Sequence, residues 1–162
     1  MANFTTSGSD TFPAGHVIQT VIKQNEAQSH NEVGNSSTLS SNELTLAITT
    51  TLLNSKIDVQ MISYGCHSQE NSKGAVWLQR AISGGATTQL EENKFVNGHF
   101  NRGQGNVNNY EPLILTYIDS TGYAASTTMT WTARFKRQSG TNSYYFVHNG
   151  YHIFAKIQEL SV

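Results

Sequence analysis

The sequence predicts an all-β protein built as a single antiparallel sandwich. Three observations carry this. Charged residues make up only 13% of the chain, about half the roughly 25% usual in soluble domains. The helix formers Lys and Glu are scarce, while Thr, Ser, Asn and Gln are common. Short segments alternate apolar and polar residues with the period of a strand, and Gly, Asn and Pro punctuate them. At 162 residues the chain suits one domain with a core that needs no disulfide.

Residues 1–15 are polar and hold Gly8, Pro13 and Gly15, so they read as a short N-terminal arm. Residues 16–162 form the domain. The stretch "HVIQTVIKQ", 16–24, places Val17 and Val21 on one face and Ile18 and Ile22 on the other. Both faces are apolar, which suits a strand covered on two sides, and the β-branched run disfavours a helix. Residues 25–43 are polar and predict a weak strand at most. "LTLAITT", 44–50, points Leu44, Leu46 and Ile48 one way and Thr45, Ala47 and Thr49 the other. "KIDVQMISYG", 56–65, does the same with Ile57, Val59 and Met61, and "SYGCHSQENSKG" follows as a turn region.

"AVWLQRAI", 75–82, sets Val76 and Leu78 against Ala75 and Trp77, and Gly84-Gly85 ends it. Residues 83–111 are rich in Gly, Asn and Gln, with "KFVNGHF" turning at Asn97-Gly98 as a hairpin. "PLILTYID", 112–119, starts at a proline, which a strand tolerates at its first residue. A turn is expected over Asp119–Gly122. "TTMTWTARFK", 127–136, has the longest strict alternation. Met129, Trp131, Ala133 and Phe135 point inward, and Thr128, Thr130, Thr132, Arg134 and Lys136 point outward. Arg134 and Lys136 thus continue the outward face, which is either wet or meets a neighbouring protein, and Arg137 follows the strand's end. "YYFVHNGYHIFAKIQEL", 144–160, reads as a hairpin turning at Asn149-Gly150. Eight or more strands without a long helix suit a jelly roll, which limits exposed sheet edges.

Composition excludes several functions. The formal net charge is −1, whereas a nucleic-acid-binding domain is usually basic. No run approaches the length of a membrane span. The N-terminal residues lack the basic and apolar regions of a signal peptide. The sequons at Asn3 and Asn35 are expected to be chance in an Asn/Ser/Thr-rich chain. Cys66 is the only cysteine, so no disulfide forms within the chain.

No catalytic, metal or cofactor site is expected. The six histidines, His16, His30, His67, His99, His148 and His152, show no zinc-type spacing. Cys66 and His67 are adjacent, and a strand would point them to opposite faces. There is no Gly-x-Ser-x-Gly. "GQGN", 103–106, lacks the lysine and the strand-to-helix setting of a phosphate loop. The carboxylates show no marked glycosidase pair, and Glu91-Glu92 lie in a loop-like region. What stands out is aromatic. Tyr64, Trp77, Tyr117, Tyr145 and Tyr151 are candidates for a subunit interface or a ligand platform, because Tyr and Trp are favoured in both.

The motif series adds a resemblance. "GHVIQTVIKQ", "SKIDVQMISYG", "WLQR", "PLILTYIDSTGYAASTTMTWTARFK" and "YYFVHNGYHIFAKIQEL" follow in order over residues 13–160. This series resembles small virion proteins of tailed bacteriophages, especially phages of cyanobacteria and other aquatic bacteria, with a jelly roll like that of tumour-necrosis-factor and C1q proteins. The resemblance implies a non-enzymatic homotrimer in the virion, assembled in the host cytoplasm and in contact with capsid or tail proteins. It implies a capsid decoration, head fibre, knob or small tail accessory. The alternative is a receptor- or carbohydrate-binding head that meets a host surface glycan. The chain has no collagen-like stalk or large anchoring domain, so the arm, with Phe4, Phe12 and Pro13, is the expected docking segment.

Overall fold

The computed structural model describes residues 13–27, 31–33, 39–68, 73–90, 111–139, 144–147 and 150–162. Ten strands run along them: β1 (Val17–Glu26), β2 (Asn31–Val33), β3 (Leu39–Thr49), β4 (Ser55–Ser68), β5 (Lys73–Ile82), β6 (Thr87–Leu90), β7 (Glu111–Tyr123), β8 (Thr128–Ser139), β9 (Tyr144–Val147) and β10 (His152–Leu160). All pairings are antiparallel.

The strand order is that of a jelly roll. One sheet runs β1-β10-β4-β7, with β9 and β2 continuing from the far end of β4, and the other runs β3-β8-β5-β6. The pairings are nested: β1 with β10, β3 with β8, β4 with β7 and β5 with β6. The chain is therefore one long hairpin folded over on itself, and the added pairings β10–β4 and β8–β5 close it into two sheets. The tip of that hairpin is the Gly84-Gly85 turn. Gly84 has φ 70°, the left-handed region that glycine enters without penalty. Gly85 N–H donates to Ile82 O at 3.0 Å.

The period-two pattern sets the core. Ile57, Val59 and Met61 of β4, Leu113 and Leu115 of β7, and Ile153, Ala155 and Ile157 of β10 are buried in one sheet. They face Leu44 and Ile48 of β3, Val76 and Leu78 of β5, and Met129, Trp131, Ala133 and Phe135 of β8. Among the described residues, Trp131 and Phe135 are the largest fully buried side chains.

Several expectations need correction. β3 begins at Leu39 and β2 occupies Asn31–Val33, so the polar stretch 25–43 holds more strand than its composition predicts. β4 continues to Ser68 through the expected turn region, and β6 lies within the expected loop region. Backbone pairing with β7, β9 and β5 supplies what side-chain patterning lacks there. Asn149-Gly150 does not join a hairpin. β9 pairs with β2 and with the end of β4, while β10 pairs with β1 and the earlier part of β4. The chain thus passes along β4 rather than turning back. Gly150, at φ 80°, makes an irregularity, and its N–H donates to Ala27 O at 3.0 Å.

The expected turn at Asp119–Gly122 is strand. β7 runs to Tyr123 with a register shift against β4, and Gly122 takes φ 75° inside this bulge. The reversal comes after it, where Ser126 has φ 64°. Thr50 holds that reversal: its hydroxyl donates to Ala124 O at 2.7 Å and accepts from Thr127 N–H at 3.0 Å. The "KFVNGHF" hairpin lies outside the described residues.

Trp131→Ala is expected to cost about 3–5 kcal/mol, the range for emptying a buried aromatic site. Urea denaturation followed by far-ultraviolet circular dichroism measures it.

Candidate functional site

Two carboxylates expected to be unremarkable are buried and saturated. Asp119 sits on the inner face of β7, and Arg80 on the inner face of β5 in the opposite sheet. Arg80 Nη1 donates to Asp119 Oδ2 and to the Tyr123 hydroxyl, and Tyr123 in turn donates to Asp119 Oδ2. Thr121 N–H donates to Asp119 Oδ1 at 3.0 Å. Burial pushes the Asp119 carboxyl up, but the hydrogen bonds from Thr121, Tyr123 and Arg80 outweigh it and hold the group below its ordinary 3.8. Burial, then the bond to Asp119, pushes Tyr123 up to about 12.

Glu159 lies on the inner face of β10, fully buried, in the same cross-strand row as Ile57 and Asp119. Its carboxylate accepts from Thr51 N–H at 2.9 Å, Leu52 N–H at 2.9 Å, the Thr51 hydroxyl at 2.8 Å and Gln19 Nε2 at 2.6 Å. It fastens the β3–β4 connection to β10 and β1. Burial alone would raise its pKa, but the bonds from Leu52, Gln19, Ser55 and Thr51 hold it below 4.5. Neither carboxylate has room for a substrate, since its lone pairs are already occupied. Among the described residues, no group of His, Cys, Asp and Glu could hold a metal ion.

The candidate aromatics scatter. Trp77 is only 2% exposed. It occupies the outer face of β5 opposite Arg134, with Lys136 Nζ 5.6 Å from its ring centroid. Trp77 is thus a packing residue of the chain itself, and Arg134 and Lys136 are half-buried rather than wet. Tyr117 turns inward on β7, its ring 5.9 Å from that of Trp131, so it belongs to the core. Tyr145 is placed by its backbone opposite Glu32 and His67. Tyr64 and Tyr151 do come together. They line a concavity of about 380 Å³ with Gln24, Gly150 and His152. Pro13 is exposed, and its carbonyl accepts from the Ser161 hydroxyl and from His16 N–H. The root of the expected arm is thereby tied to the last strand's end, while Phe4 and Phe12 lie outside the described residues.

The two outer sheet faces differ sharply. On β1-β10-β4-β7, Ile22 is 56% exposed, Ile114 52% and Ile118 59%; Lys156, Gln60 and Thr116 share the cross-strand row of Ile22, and Asp58 and Gln158 share that of Ile118. Phe154, Ile62 and Ile114 stand side by side in one cross-strand row. The outer face of the other sheet carries hydroxyls instead. There Thr49 and Thr128 share a hydrogen bond at 2.8 Å, and Thr45 donates to Thr132 at 3.2 Å.

Because both carboxylate pKa values are depressed on folding, each contributes stability above its unfolded pKa and loses it as pH falls through the folded value. The urea midpoint is expected to be flat above about pH 5 and to drop below about pH 4. Glu159→Gln is expected to lower stability at pH 7 and to make the acid decline shallower, read as midpoints between pH 7 and pH 2. Asp119→Ala strands a buried guanidinium and is expected to cost about 3–5 kcal/mol. The double change Arg80→Met with Asp119→Leu is expected to recover most of that loss in the same urea measurement.

No family model and no curated protein sequence matches the chain. Among solved structures, it is similar to the infectious bursal disease virus Gx strain structure, at 6% identity, with a TM-score of 0.38 and with 100% of this chain and 46% of that one covered. The VP2 subviral particle of the same virus matches at 10% identity and a TM-score of 0.33, again with 100% and 46% covered. The chain spans less than half the length of these structures. The jelly-roll assignment rests on its own nested strand order.

Proposed function

We propose that the chain is a non-enzymatic structural component of a virus particle that assembles as a homotrimer. The motif series points to a tailed bacteriophage, with a capsid decoration, head fibre, knob or small tail accessory as its place. The observation that carries the self-association is the set of exposed isoleucines on the outer face of β1-β10-β4-β7. A single domain rarely leaves Ile22, Ile114 and Ile118 open together on one sheet face unless a partner covers them. Charge on that face is balanced in part by Lys156 and Asp58, 3.8 Å apart, so a like copy meets little net repulsion. Saturation of Asp119 and Glu159 by internal donors supports the non-enzymatic reading.

A second reading, a head that binds host glycan, is favoured by the Tyr64–Tyr151 concavity.

Sedimentation velocity at micromolar concentration is expected to give a trimer, and a stable monomer would remove the main premise. Ile114→Lys with Ile118→Lys is expected to give monomers with an unchanged circular dichroism spectrum. Deleting residues 1–12 is expected to leave the domain folded and trimeric but absent from particles, scored by immunoblotting of purified virions.

A further inference from the structure

We infer that the concavity between Tyr64 and Tyr151 is a binding subsite for one neutral pyranose. This deepens the second reading above and is independent of the trimer.

The site is assembled by the fold rather than by any motif. Gln24 comes from the end of β1, Tyr64 from β4, His152 from the start of β10, and Gly150-Tyr151 from the irregularity before it. Its volume of about 380 Å³ lies at the small end of the ligand-pocket range of roughly 300–1,000 Å³. Its floor is held in place by two backbone bonds. Gly150 N–H donates to Ala27 O at 3.0 Å, and Ala27 N–H donates to Tyr151 O at 2.8 Å. A cradle fixed in this way needs little ordering when a ligand arrives.

The chemistry of the lining selects the ligand. Tyr64 is 46% exposed, and its ring offers an apolar face with a phenol at the edge. That combination suits the C–H face and equatorial hydroxyls of a sugar ring. The Gln24 amide supplies both donor and acceptor, and the His152 imidazole adds a further polar group. At Gly150 no heavy atom lies within 4 Å of where a Cβ would stand, so a ligand can approach the backbone. Among the described residues the lining holds no carboxylate, lysine or arginine. A phosphate-bearing or acidic ligand would find no partner charge there, which favours a neutral one.

The test is saturation-transfer NMR on the full chain in its native assembly state. The probes are methyl α-glucopyranoside, methyl α-mannopyranoside and methyl β-galactopyranoside, with glucuronate as a charged control. Transfer to the ring C–H protons of at least one neutral glycoside is expected at ~10 mM, the concentration suited to a single weak subsite. Tyr64→Ala and Tyr151→Ala are expected to abolish it with the melting temperature retained. Gln24→Ala is expected to weaken it by about twofold to tenfold. No transfer from any neutral glycoside would overturn the inference, as would transfer from glucuronate alone or transfer unchanged in both tyrosine variants. Sedimentation of the same samples separates this from the trimer. If Tyr64→Ala yields monomers and no glycoside binds the parent protein, the concavity is a subunit contact and the inference fails while the trimer stands.

Discussion

One buried polar contact joins the two sheets, the Arg80–Asp119 pair closed by Tyr123. Burying a charge without its partner costs several kcal/mol, so each of these groups is stable inside only when the opposite sheet delivers the other. Arg80 therefore constrains β5, and Asp119 constrains β7. A slip of one residue in either strand would carry its charge to the outer face and its core residues with it, because side chains alternate with period two. The same inner faces hold Leu78, Trp131 and Leu115. Apolar packing supplies most of the stability there, and the ion pair selects one register among those that packing would tolerate.

Glu159 performs a related task two strands away in the same row. Two backbone N–H groups, a hydroxyl and an amide converge on it, so the connection between β3 and β4 is held by charge-assisted bonds rather than by apolar contact. Together the two carboxylates brace the same end of the sandwich, in a single row across β10, β4 and β7. Both have been committed to structure, which leaves the outer surface to carry whatever recognition the protein performs.

That surface is divided by face. One sheet presents isoleucines and the other presents threonines that bond to each other across strands. A hydroxyl ladder satisfies itself and is content in water, whereas an isoleucine row gains free energy only when something covers it. The asymmetry follows from the outward positions of different strands, isoleucines on β1, β4 and β7 and threonines on β3 and β8.

The sequence alone determined the fold class, because alternation in "LTLAIT", "KIDVQM" and "TTMTWTARFK" is a local property and reports directly which face is dry. The inward set Met129, Trp131, Ala133 and Phe135 stands in the structure as that alternation predicts. Tertiary structure decided what depends on pairing between distant segments. Asp119 looked like a turn residue because Asp, Ser, Thr and Gly follow one another there, and only the arrival of Arg80 from β5 makes its burial tolerable. Asn149-Gly150 carried a strong hairpin signal, yet β4 offered both flanking strands a better partner than each other. Tyr64 and Tyr151 are far apart in the chain, and no local pattern could bring them together. Their meeting follows from the β10–β4 register, a consequence of the nested hairpin closing on itself.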